Sequence, residues 1–137
     1  MQTKNKVLLF LSCIFILAAI VLRAIPVSLA LPFAPSPDVV LYQYHSYFSF
    51  GDLYGFGVVF QPTVAIFSVA WLPLSVCYPF HNKKLPTLII GFFSCLCGLI
   101  SVFWIAGTVF TVYIGIILVV SYVLQIIGLR NGKTTAQ

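Results

Sequence analysis

The chain contains no glutamate, and its acids are Asp38 and Asp52 alone. Proton-coupled carriers and pumps depend on an acid, lysine or histidine inside the bilayer. The long apolar runs here hold no acid and no histidine, which argues against that class. Charged residues of both signs make up 7% of the 137 residues. A soluble domain carries about 25%. With 61% hydrophobic residues and a mean hydropathy of +1.12, a water-exposed surface would be one large apolar patch. The composition therefore indicates an integral membrane protein with one small domain, residues 1–137.

Paired thiols are missing as well. There are four cysteines and no CxxC. Cys95 and Cys97 are two apart, about 200° around a helix, and point to opposite faces. They form neither a joint metal site nor a redox pair. Phosphate loops, nucleophile elbows and nucleic-acid motifs are also absent from the sequence. The net charge of +5 sits on the flanks of apolar runs rather than along one face, so it reads as a topology signal and not as a nucleic-acid surface.

What is present is a series of apolar runs of about 20 residues, the length of a membrane span. The first covers about 7–25 and the second about 58–80. From Leu85 to Leu129 no charge occurs, a run too long for one crossing, so it must fold back near Trp104 to Thr111. That gives spans at about 85–105 and 109–129 and four in all. Lys4, Lys6, Lys83, Lys84, Arg130 and Lys133 then fall on one side, which the positive-inside rule makes cytoplasmic. Both termini are expected inside the cell membrane and the loop at about 26–57 outside. Arg23, at the outer end of the first span, is expected to snorkel to the headgroups. The alternative is a cleaved signal peptide ending at "SLA", residues 28–30, but the apolar run is long for one and Pro32 follows closely.

Between helices in lipid, small residues and hydrogen bonds carry the packing. Gly91, Ser94, Gly98 and Ser101 recur at helical spacing in the third span, and Thr108, Thr111 and Gly115 in the fourth. These stripes are expected to face each other. In the second span Pro62 suits a helix start, and Pro73 should shape or kink the helix.

The outer loop holds the aromatic stretch "LYQYHSYFSFGDLYGFG", residues 41–57. Ser36, Pro37 and Asp38 make a helix start. Val40, Leu41, Tyr44, Tyr47 and Phe48 would then share one face of a short amphipathic helix lying in the membrane interface. Alternation through Tyr42, Tyr44, Ser46, Phe48 and Phe50 would suit a strand, but Ser46 interrupts it, and the helix fits better. The expected fold is an all-α membrane four-helix bundle with that interfacial helix. Tyr42, Tyr44, His45, Tyr47, Phe48 and Tyr54 are the candidate partner contacts. His45 with Asp38 and Asp52 is too sparse a set for a metal centre or acid–base chemistry.

"SYFSFGDLYGFGVVFQPTVAIFSVA" resembles the segment leading into the second span of small four-span membrane proteins of clostridia-like Gram-positive bacteria. The shared elements are Ser46-Tyr47-Phe48, Tyr54-Gly55-Phe56 and Phe60-Gln61-Pro62, over about a fifth of the chain. The resemblance implies a bacterial cell-membrane location and carries no activity. The reading is a non-enzymatic multi-pass protein without cofactor, whose partners are the lipid bilayer and either a second copy or another membrane protein. The alternative is an oligomeric channel or carrier for a neutral or apolar solute.

Overall fold

A computed structural model describes residues 3–26, 28–36, 38–48, 57–81, 84–104 and 109–130. Among the described residues there are four helices: α1 (Thr3–Ala24), α2 (Gly57–His81), α3 (Lys84–Trp104) and α4 (Val109–Arg130). Among the described residues three stretches are long and apolar enough to cross a membrane: Thr3–Ala24, Lys84–Val102 and Val109–Leu129. The fourth helix, α2, has 25 residues, and its apolar stretch Thr63–Cys77 is shorter. It begins at Gly57, so Pro62 lies beyond the first turn, in which it was expected.

The helices close a ring in which α1 packs on α4 and α2, and α3 packs on α2 and α4. The reason is visible in the buried positions. On α1 they are Asn5, Leu9, Ser12, Ile16, Ala19 and Arg23, alternating by four and three. Val64, Ser68, Trp71 and Ser75 do the same on α2, and Thr87, Gly91, Ser94, Gly98 and Ser101 on α3. On α4 the row is Thr111, Ile114, Leu118, Ser121, Gln125 and Gly128. A three-four alternation keeps one seam facing its neighbours when helices cross at about 20°, the packing of most four-helix bundles. Ile16, Ala19, Val64, Trp71, Ile114 and Leu118 fill the middle of the bundle.

The opposite faces are apolar and uncovered. Val7, Phe10, Ile14, Leu17 and Val21 on α1, and Val112, Tyr113, Ile116, Val120 and Val123 on α4, are all exposed. Such faces suit hydrocarbon and would aggregate in water.

The segment between α1 and α2 differs from the sequence-based expectation. Instead of an amphipathic helix, strands β1 (Leu29–Ser36) and β2 (Val39–His45) form an antiparallel hairpin. Ser36 pairs with Val39 around a turn that contains Asp38, and Leu29 pairs with His45 at the base. The cause lies in residues with two readings. Ser, Pro and Asp start helices, but they also form tight turns. Val39, Val40, Tyr42 and Tyr44 are β-branched or aromatic and favour strands. The partner strand, "LALPFAPS", carries prolines that keep it extended and unfit for a helix interior.

Candidate functional site

The site lies at the end of α1, where the hairpin meets the bundle. Arg23 does not snorkel outward. It is 1% exposed, and its side chain turns into the bundle. The register explains this: Arg23 continues the buried row of α1, four residues beyond Ala19. Its Nη1 donates to the Val64 carbonyl at 3.2 Å and to Ser68 Oγ, both on α2. Ser68 Oγ also lies 2.8 Å from Ser94 Oγ on α3. A guanidinium, two hydroxyls and a carbonyl thus link three helices inside an apolar shell.

The hairpin closes over this group. Tyr47 N–H donates to the Arg23 carbonyl at 3.0 Å, and Ser28 Oγ donates to the same oxygen at 3.1 Å. The Ser28 carbonyl accepts from Thr111 Oγ1 on α4 at 3.3 Å. Both legs of the hairpin are thereby fixed to the bundle, and the Tyr47 ring covers the guanidinium at 5.4 Å, a cation–π contact. The acid among the described residues, Asp38, is exposed at the hairpin turn, so no described carboxylate neutralises Arg23.

A second polar cluster lies deeper. Trp71 Nε1 donates to Gln125 Oε1 at 2.7 Å, Gln125 Nε2 donates to Ser75 Oγ at 2.7 Å, and Ser75 Oγ donates to the Trp71 carbonyl at 2.8 Å. All three side chains are buried. Two further bonds join neighbouring helices through backbone carbonyls: Ser12 Oγ to Ser121 at 2.9 Å, and Cys95 Sγ to Leu118 at 3.2 Å. In hydrocarbon the alternative to such pairs is an unsatisfied polar group.

The small residues expected to pack helices divide between two neighbours. Gly115 lies against Gly98 and Val102 across the α3–α4 contact. Gly91 and Ser94, however, face α2: Gly91 lies under the Trp71 ring and Ser94 meets Ser68. Ser101 bonds back to the Cys97 carbonyl of its own helix at 2.9 Å, and Thr111 reaches the hairpin leg. Thr108 lies outside the described residues.

Among the candidate partner contacts, Tyr42 and Tyr44 are exposed, and His45 and Phe48 are half-buried. Tyr47 is 1% exposed and is core rather than contact surface, because its ring is needed over Arg23. Tyr54 lies outside the described residues. Phe48 instead borders an open apolar groove of about 310 Å³ with Ala65, Ile66, Val69, Ala70 and Pro73 of α2. Among the described residues no group of three or more His, Cys, Asp or Glu is placed to hold a metal. No family model matches the chain, and no curated protein or solved structure matches it.

Sequence reasoning singled out Arg23 but aimed it outward, and it missed Ser68 as its partner and Trp71 and Ser75 as the partners of Gln125. A signal for them exists. Each lies on the three-four row of its helix, in register with small or apolar residues.

Proposed function

We propose that this chain is a four-span membrane protein that acts through contact with a second copy or another membrane protein. Both termini would lie in the cytoplasm and the hairpin outside. The observation that carries this reading is the hairpin itself. It is tied to the bundle at Ser28 and Tyr47, yet Leu41, Tyr42 and Tyr44 on β2 stand 53%, 54% and 59% exposed. A two-stranded hairpin is marginal by itself, and tyrosines are efficient contact residues. The rigid base and uncovered arm suit a docking element.

The channel or carrier reading has less support. The middle of the bundle is filled by Ile16, Val64, Trp71, Ile114 and Leu118, so a solute path would have to run between copies. Reporter fusions test the orientation: cytoplasmic signals at both termini and an external tag at Ser36 are expected, and an external C-terminus overturns it. Crosslinking and native pull-down from nanodiscs test the contact. A reproducible complex that is lost in Tyr42→Ser/Tyr44→Ser is expected. A strictly monomeric species without a partner contradicts the proposal.

A further inference from the structure

The register of the hairpin decides which backbone groups stand on its outer edges. Along an antiparallel pair, residues that bond to the facing strand alternate with residues whose N–H and C=O point away from it. Pro32 faces Tyr42 and has no N–H to give, so this pair is of the second kind. Leu31 with Gln43 and Phe33 with Leu41 are then the bonded pairs. The N–H and C=O groups of Val40, Tyr42 and Tyr44 therefore point to the outer edge of β2. Among the described residues the sheet has two strands, and no third strand lies on that edge.

The two edges of the hairpin are not equivalent. On β1 the outward positions include Pro32, which deprives that edge of a donor. β2, "VVLYQYH", contains no proline, lysine, arginine or acid, the residues that keep an edge strand from pairing. Neither face of β2 is covered: Leu41 and Gln43 on one face and Tyr42 and Tyr44 on the other are all exposed. A strand laid against the bundle would alternate between buried and exposed residues. β2 is thus held at its base by His45 and Tyr47 and stands clear of the helices along the rest of its length.

We propose that the free edge of β2 pairs antiparallel with the same edge of a second copy, so that two hairpins form one four-stranded sheet. The proposal rests on the reading of the hairpin as a contact element and names its partner. An antiparallel pair is twofold symmetric, so an edge that meets itself sets each donor against an acceptor. Full overlap of Val39–His45 with itself places Tyr42 of one copy opposite Tyr42 of the other, and Val40 opposite Tyr44. These are the three residues whose backbone groups point outward, and all are satisfied at once. Like charges directly opposite would oppose self-pairing, and β2 has no lysine, arginine or acid to repel its copy. A two-stranded hairpin is marginal in water, and the added strands make a sheet wide enough to hold its shape.

The test uses the full chain in lipid bilayers. Copies carrying nitrogen-15 tyrosine are mixed with copies carrying carbonyl carbon-13 tyrosine, so a nitrogen–carbon coupling arises only between copies. Magic-angle-spinning NMR should show that coupling at Tyr42, and it should vanish in Tyr42→Phe, where position 42 carries no label. Energy transfer between dye-labelled copies, diluted with lipid, measures association. Val40→Pro removes an outward N–H that β1 does not use, so the hairpin stays paired while association weakens by about tenfold or more. Slow exchange of the Gln43 amide checks that the hairpin is intact in this variant. Val40→Thr keeps the N–H and a branched side chain and should associate like the parent. An associated parent chain without the Tyr42 coupling, or association unchanged by Val40→Pro, overturns edge pairing and leaves the hairpin as a contact element. A monomeric chain that captures a different membrane protein does the same. A monomer with no partner at all overturns both.

Discussion

Replacing Gly91 with alanine would place a methyl carbon 2.8 Å from Trp71 Cε2 and 2.9 Å from Cζ2 and Nε1. An indole cannot bend away, and this one has little freedom to slide. Its N–H is held by Gln125 at 2.7 Å, and its ring meets Tyr122 edge-on at a centroid distance of 6.2 Å. Overpacking of this kind costs about 1–3 kcal/mol. If the ring escapes by breaking its hydrogen bond to Gln125, about 1 kcal/mol more is lost. The expected destabilisation is therefore about 2–4 kcal/mol. Equilibrium unfolding in mixed maltoside–dodecyl sulfate micelles, followed by circular dichroism, measures it. Trp71→Phe removes the atoms that the new methyl strikes, so Gly91→Ala should cost less in that background, with a coupling above about 1 kcal/mol. A Gly91→Ala protein within about 0.5 kcal/mol of the parent, or strictly additive variants, would refute the proposed contact.

Two further substitutions probe the polar clusters by the same unfolding assay. Ser68→Ala leaves Arg23 Nη1 with the Val64 carbonyl alone and deprives Ser94 of its neighbour, and should cost about 1–3 kcal/mol. An unchanged midpoint would show that Ser68 does not hold the guanidinium. Gln125→Leu, similar in volume, strands Trp71 Nε1 and removes a donor to Ser75, for a loss of about 1–3 kcal/mol. A neutral or stabilising result would mean that these groups find other partners in the bilayer.

The helices were legible in the sequence because each is a long apolar run ended by charge, proline or glycine. The fold-back of the 85–129 run could be read from length alone, and the structure ends α3 at Trp104 and begins α4 at Val109. The segment between α1 and α2 was less legible. Ser36, Pro37 and Asp38 serve a helix start or a turn equally well, and the choice falls to long-range pairing of Leu29 with His45 and Phe33 with Leu41. Pattern rules within one segment do not see that pairing.

Arg23 shows a different difficulty. Its position at the end of a span allows an outward reach to headgroups or an inward reach to carbonyls, and hydropathy does not separate them. Helix register does: Asn5, Leu9, Ser12, Ile16, Ala19 and Arg23 form one row, and that row is buried. The small-residue stripe of α3 was visible, but not its division between Trp71 and Ser68 on α2 and Gly115 on α4, because spacing identifies a face and not the neighbour that covers it.

The central claim is that Arg23 folds into the bundle beneath the hairpin. The chain has two arginines, Arg23 and Arg130, so an Arg130→Lys protein carrying nitrogen-15 in arginine and carbon-13 in valine carbonyls reports on Arg23 alone. Magic-angle-spinning NMR of this protein in lipid bilayers measures the dipolar coupling between the guanidinium and the Val64 carbonyl. The Nη1–oxygen distance of 3.2 Å places the nitrogen roughly 4 Å from the carbonyl carbon, well within range. A clear coupling to Val64, with little exchange of the guanidinium protons with water, is the expected result. A guanidinium in rapid exchange with water and uncoupled from Val64 would place Arg23 among the headgroups and contradict the account.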